Sequence, residues 1–158
     1  MIFIGYAGIG KSSLSAKNFK FIDLDSSDFY YAPKPDIYIT EWYKPYCGIA
    51  VGLSRQGYDV FVSSHKEVRQ LLRESFQHIV GIYPNEDLKD QWVEKLEQRY
   101  KETQIDKDYR AWMHAKDRYL EDIQGIRADV KHKIEIQTMQ YNLDELIQAY
   151  QQRHSNDT

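Results

Sequence analysis

With one cysteine in 158 residues, Cys47, the chain offers no internal disulfide and no multi-cysteine metal site, and it suits a reducing cytoplasm. Long hydrophobic runs are missing too. No stretch approaches the roughly 18 apolar residues that a membrane span needs. The apolar start Met1–Ile4 runs straight into glycines, too soon for a secretory leader. Charge of one sign is also scarce. A net charge of −3, with 28% charged residues, speaks against a general binder of nucleic-acid polymers or of membranes. Neither an internal repeat nor a low-complexity linker divides the chain, so residues 1–158 are expected to form one domain. What is abundant is aromatic: 14% of the residues, thirteen of them tyrosines, which points to a packed core. A chain of this length buries about two thirds of its unfolded surface.

Extended and helical patterns alternate along it. Met1–Ile4 reads as a buried strand, Lys11–Lys17 as a helix and Phe19–Asp25 as an alternating strand. A mostly helical stretch, Ile37–Gln56, is expected to kink or break at Pro45. Two strands, Asp59–Ser64 and His78–Tyr83, flank a helix whose apolar positions 68, 71, 72 and 76 share one face. A helix over Asn85–Tyr100 presents Leu88, Trp92, Leu96 and Tyr100, and the next carries Tyr109, Trp112, Tyr119 and Ile123. "HKIEIQT" alternates as a last strand, and Asn142 can cap a last helix, Leu143–Gln152, before a frayed tail. Such alternation predicts an α/β fold, a parallel sheet with helices on both faces.

Three glycines in six positions open the segment "GYAGIGKSS", between the first strand and the first helix. Gly5, Gly10, Lys11 and Ser12 match the phosphate-binding pattern G-x-x-x-x-G-K-S/T, and Gly8 adds a further glycine. Glycines let successive backbone N–H groups turn toward an anion with no side chain between them. The backbone from Gly8 through Ile9 and Gly10 to Ser13 would cradle phosphate oxygens. Lys11 would reach the β- and γ-phosphates of a nucleotide, and the Ser12 hydroxyl would reach Mg²⁺. The start of the following helix adds partial positive charge.

In "IDLDSSDF", Asp23 and Asp25 lie two apart in a strand and share a face near its carboxyl end. In open parallel sheets that edge faces the ligand crevice. One carboxylate, Asp23, would hold Mg²⁺ through water, and Asp25 would meet an acceptor; capping of the turn at Ser26 and Ser27 is the plainer alternative. The third strand ends Ser63-Ser64-His65, with no acid there, and no N-K-x-D guanine signature occurs. A motor-type or GTPase-type site is thereby disfavoured. Lys66 and Arg69 either reach an acceptor phosphate or are simply solvated. Further along, Arg99, Arg110 and Arg118 are candidates for neutralising charge during phosphoryl transfer, with Arg99 first and Arg118 second. Ordinary pairing along a charged helix is the competing explanation for each.

Taken together, "GYAGIGKSS", "FIDLDSSDF", "GYDVFVSSHKEV" and "YPNEDLKDQWVEKLEQRYK" resemble the nucleoside monophosphate kinase-like group of phosphate-loop (P-loop NTPase) proteins. The likeness is greatest to small nucleotide kinases of bacteriophages and prophages, and it covers roughly the first hundred residues. It implies a five-stranded parallel sheet with the first strand between the third and fourth, and a helical lid before the fifth. Residues 26–57 would form the acceptor-binding segment and residues 95–128 the lid. The implied activity is phosphoryl transfer from ATP, with Mg²⁺, to a (deoxy)nucleoside monophosphate in the host cytoplasm, by a monomer or homodimer. Tyr30, Tyr31, Tyr38 or Trp42 would stack on the base, or pack in the core. The Asp-x-Asp also resembles that of shikimate and gluconate kinases, so a kinase of a small alcohol, with Asp25 as base, is one alternative. A non-catalytic nucleotide-binding phage protein acting on a host partner is the other.

Overall fold

The structure is a computed structural model, and it describes residues 1–30, 39–75 and 78–155. Five strands, β1 (Ile2–Gly5), β2 (Phe21–Asp23), β3 (Asp59–Ser63), β4 (Ile79–Pro84) and β5 (His132–Ile136), form one sheet in the order β2-β3-β1-β4-β5. Every pairing is parallel, with Ile2 opposite both Val60 and Ile79, Phe21 opposite Asp59, and Val80 opposite His132. The first strand thus lies between the third and the fourth. All four β1 residues are buried, which is why "IFIG" is apolar without alternation: a central parallel strand is covered on both faces.

The helices are α1 (Lys11–Lys17), α2 (Ser27–Tyr30), α3 (Tyr43–Arg55), α4 (Lys66–Arg73), α5 (Lys89–Thr103), α6 (Asp106–Asp129) and α7 (Leu143–His154). α3 packs on β1 and β3, α6 on β4 and α4, and α7 on β5, while α5 and α6 form an antiparallel hairpin. The core joins Phe3, Phe61 and Val62 of the sheet to Tyr46, Trp92, Tyr119, Ile123, Ile126 and Ile147 of the helices. Among the described residues no helix is long and apolar enough to cross a membrane.

Several boundaries differ from the sequence reading for local reasons. β2 begins at Phe21, because the Asn18 carbonyl accepts from Phe21 N and its side chain from Lys20 N; this closes a turn that leaves Phe19 92% exposed. Pro45 does not kink a helix. It is the third residue of α3, where no helical acceptor awaits its missing N–H. Ile37, the proposed start of that helix, lies outside the described residues, as do Tyr31, Tyr38, Phe76 and the end of the tail. The helix expected from Asn85 begins as a 3-10 turn, Glu86–Leu88, capped by the Asn85 side chain on Asp87 N, and α5 then runs on to Thr103. Asn142 caps α7 as anticipated, accepting from Glu145 N.

Candidate functional site

The carboxyl ends of β1, β2 and β3 open into one cleft of about 1270 Å³. Its floor is the loop from Gly5 to Ser13, one side is Asp23, Asp25 and the β3 end Ser63–His65, and the far wall is the α5–α6 hairpin.

The loop is shaped by what its glycines avoid and braced by two distant rings. A Cβ on Gly5 would fall 2.7 Å from Ile9 Cδ1 and 2.9 Å from Lys11 Cδ, so any larger residue would displace the lysine stem. Gly8 has φ +87°, and a Cβ there would meet Leu96 Cδ2 at 2.9 Å. The Trp92 indole N–H donates to the Ala7 carbonyl at 2.8 Å, and the Tyr141 hydroxyl donates to the Ile9 carbonyl at 2.8 Å. The two rings stack at 6.1 Å, with the Lys95 ammonium 4.3 Å from the Trp92 ring. Burial pushes the Tyr141 phenol up to about 12, so it remains a donor. Leu14 N is the first amide of α1 to find a helical carbonyl, that of Gly10. The amides before it are the open donors of a helix start.

Lys11 is half-buried and donates to the Gly5 carbonyl at 3.1 Å. Desolvation in the cleft lowers its pKa, and the charges of Lys107 and Arg99 push the same way against Asp23 and Asp25. Three cations, Lys11, Lys107 and Arg99, therefore share one cleft, an arrangement that a polyanion relieves. The Ser12 hydroxyl donates to Asp23 Oδ2 at 2.8 Å, so the two oxygen donors foreseen for a metal do meet.

Asp25 is held more firmly. Its Oδ1 accepts from Ser27 N at 2.9 Å and Ser27 Oγ at 2.7 Å, and its Oδ2 pairs with Lys107 at 2.6 Å. Burial raises its pKa, but the bonds from Lys107 and Ser27 outweigh that and leave the carboxyl below the usual range. The turn-capping alternative foreseen for Asp25 is thus realised at Ser27, while Asp25 also lines the cleft.

The basic residues divide. Arg99 lines the cleft while its Nε pairs with Asp108 at 3.0 Å, a buried carboxylate that also accepts from Thr103. Arg110 and Arg118 line the cleft too; Arg118 pairs with Glu121 at 2.7 Å and takes a non-helical φ/ψ of −133°/15° that breaks α6 in the middle. Lys66 is exposed at the rim. Arg69 is buried and engaged, donating to Asp129 at 2.9 Å and to the Ser64 carbonyl at 2.6 Å, so it fastens α4 to α6 where it lines the cleft. His65, read in the sequence only as part of the acid-free end of the third strand, bonds Tyr30 through Nε2 and Ser63 Oγ through Nδ1 at 2.8 Å. Its ring is packed by Tyr30 and Trp42 yet opens to the cleft, so the downward push of burial on its pKa is tempered by solvent. Of the aromatics named for stacking, Tyr30 lines the cleft and Trp42 is buried behind it.

Sequence reading missed Trp92, Tyr141 and Lys107. Trp92 was legible only as a core position, and Tyr141 and Lys107 carried no motif; their partners lie 85, 132 and 82 residues away. No protein-family model, no curated protein and no solved structure matches the chain.

Proposed function

We propose that the protein is a P-loop NTPase of the nucleoside monophosphate kinase-like type, which transfers the γ-phosphoryl group of ATP to a (deoxy)nucleoside monophosphate. The observation that carries this reading is the braced glycine loop and its Lys11 in a cleft that Lys107 and Arg99 also line. The loop amides and Lys11 bind and orient the donor phosphates. Ser12 and Asp23 are oxygen donors suited to a hard cation. Among the described residues no group of three or more His, Cys, Asp or Glu would hold a metal alone, which fits an ion that takes most of its ligands from water and phosphate. Mg²⁺, when bound, supplies neutralisation of the phosphate charge.

The acceptor phosphate attacks the γ-phosphorus in line, an O–P bond forms, and the bond to the ADP oxygen breaks. A phosphate dianion is already a nucleophile, so the site needs position and positive charge more than a base. Asp25 favours this acceptor over an alcohol. A carboxylate whose Oδ1 already accepts two bonds from Ser27, both of which lower its pKa, is a poor proton acceptor. Arg99 and Arg118 are the arginines assigned to charge developing in transfer, Arg99 by its place beside Lys11.

A turnover screen with MgATP against monophosphates and small alcohols tests the reading, with Lys11→Ala as control. Diphosphate formation from one or more monophosphates, lost in Lys11→Ala, is expected. Turnover of an alcohol alone would replace the acceptor class, and nucleotide binding without turnover would make the chain a binding protein.

A further inference from the structure

Lys107 is the residue that the site's own chemistry leaves unassigned. It sits in the first turn of α6, and its ammonium bridges the hairpin to Asp25 on the opposite side of the cleft. The two partners are not equally fixed. Asp25 keeps Oδ1 in two bonds from Ser27, whereas Lys107 stands on a four-carbon stem, and among the described residues it is Asp25 that draws it across the cleft. Both side chains are reachable by solvent, 46% and 30% exposed. A half-exposed pair of this kind is weakly held, and exchange for a stronger anion costs little.

The helix that carries Lys107 is built to allow such an exchange. The break at Arg118 divides α6 into an arm, Asp106–Asp117, and a fixed half, Tyr119–Asp129. Tyr119, Ile123 and Ile126 are buried on the sheet side, Tyr119 donates to the Asn85 carbonyl at 2.7 Å, and Asp129 holds Arg69. The arm has Ala115 and Asp108 as its buried residues. Across the break, Asp122 Oδ2 lies 2.7 Å from His114 Nε2, an ion-pair contact without hydrogen-bond alignment, and that oxygen is otherwise unpartnered. Lys107 also lines the same cleft as Lys11, close enough for the two charges to repel.

We propose that Lys107 is a shared cation: it rests on Asp25 when the loop holds no nucleotide, and leaves Asp25 for the donor phosphates when ATP is bound. Its departure frees Asp25 Oδ2 to accept a hydrogen bond from a hydroxyl or amine of the acceptor's nucleoside part, so donor binding readies that side of the acceptor site. By linkage, whatever occupies Asp25 must then favour donor binding in return. The assignment rests on the phosphoryl-transfer reading, and it adds a contact that residue patterns gave no sign of.

A double-mutant cycle on MgATP affinity, read by calorimetry without acceptor, tests it. Lys107→Ala should weaken binding about tenfold, the scale of one charge-assisted contact to phosphate. Asp25→Asn should tighten binding severalfold while Lys107 is present, because the cation no longer has to leave a partner. In the Lys107→Ala background that gain should shrink to a residual field effect. Lys107→Arg should restore most of the affinity, and Lys107→Gln repeats the test should the alanine variant melt early. Equal effects of Asp25→Asn in both backgrounds, or an unchanged Kd in Lys107→Ala, would overturn the shared-cation role while leaving the parent reading intact. Wild-type protein that fails to bind MgATP, or binds it equally well as Lys11→Ala, would overturn both.

Discussion

The glycine loop and the α6 arm present cations to one cleft, yet they are held in opposite ways. The loop follows the fully buried central strand β1, and its carbonyls are tied by Trp92 and Tyr141 at 2.8 Å each. The arm packs on α5 through the rings of Tyr100, Tyr109 and Trp112, and it is tied further by ion pairs with at least one solvent-reachable member: Lys107–Asp25, Arg99–Asp108 and His114–Asp122. Buried hydrogen bonds to backbone fix a geometry, because each leaves an unpaired polar atom when broken. An ion pair exposed on both sides, as Lys107–Asp25 is, biases a geometry by about 1 kcal/mol or less, so it permits exchange. On the proposed phosphoryl-transfer reading, a rigid loop for the donor phosphates beside an adjustable cationic wall suits a site where charge moves between donor and acceptor.

The largest effect is expected on the rigid side. Lys11→Ala should reduce turnover by about a thousandfold or more, since it removes a cation from a site that works by charge neutralisation. Its circular dichroism should be unchanged, because the lost protein contact is one bond to the Gly5 carbonyl. Equal turnover in this variant would remove the loop from the mechanism.

Next comes the wall. Arg99→Ala should lower kcat by about a hundredfold, the scale of one transition-state donor, with a smaller change in KM. A pure KM effect would mean that Arg99 binds ground state and transition state alike. Melting measured alongside separates catalysis from the loss of a partner for buried Asp108.

These two residues also mark what was legible in the sequence. The loop was readable because its constraints are local: a glycine at φ +87°, a lysine beside a helix start and a strand before it, all within nine residues. The sheet was equally readable, since period and β-branching report burial strand by strand. Arg99 was found as a residue, but its tie to Asp108 was not, because a pairing across a helical hairpin leaves no spacing rule. Arg69 is the converse. Its position suggested a substrate contact, and only the approach of α6, with Gly125 leaving room for the guanidinium, turns it into a structural fastener. Strand ends failed where one polar atom decided them, as Asn18 does before β2.

A middle-sized effect tests the bracing itself. Trp92→Phe keeps the ring but leaves the Ala7 carbonyl without its indole donor, at a cost of about 1–3 kcal/mol. Denaturant unfolding should show that loss, and KM for ATP should rise as the loop relaxes. Unchanged stability and KM would mean that backbone context alone sets the loop.

The smallest effect belongs to the arm. Contact with Asp122 raises the His114 pKa above its ordinary value, against the opposing pull of burial and, less, of Arg118. A raised histidine pKa stabilises the protonated, folded form, so this contribution is full below about pH 6.5 and is lost as pH rises through the folded value. Intrinsic-rate-corrected amide exchange in residues 106–117 should therefore be faster at pH 8 than at pH 6, with little change in residues 119–129. His114→Gln should abolish the difference. Equal behaviour of the two halves would contradict a break at Arg118 that separates them.

The most direct measurement is ³¹P NMR of the wild-type protein mixed with MgATP and each nucleoside or deoxynucleoside monophosphate in turn. The account predicts that, with one or more acceptors, the ATP γ-signal is lost while the β-signals of ADP and of a new nucleoside diphosphate rise together, and that Lys11→Ala shows neither. Release of the γ-phosphoryl group only as inorganic phosphate, or an unchanged spectrum with every monophosphate, would contradict it.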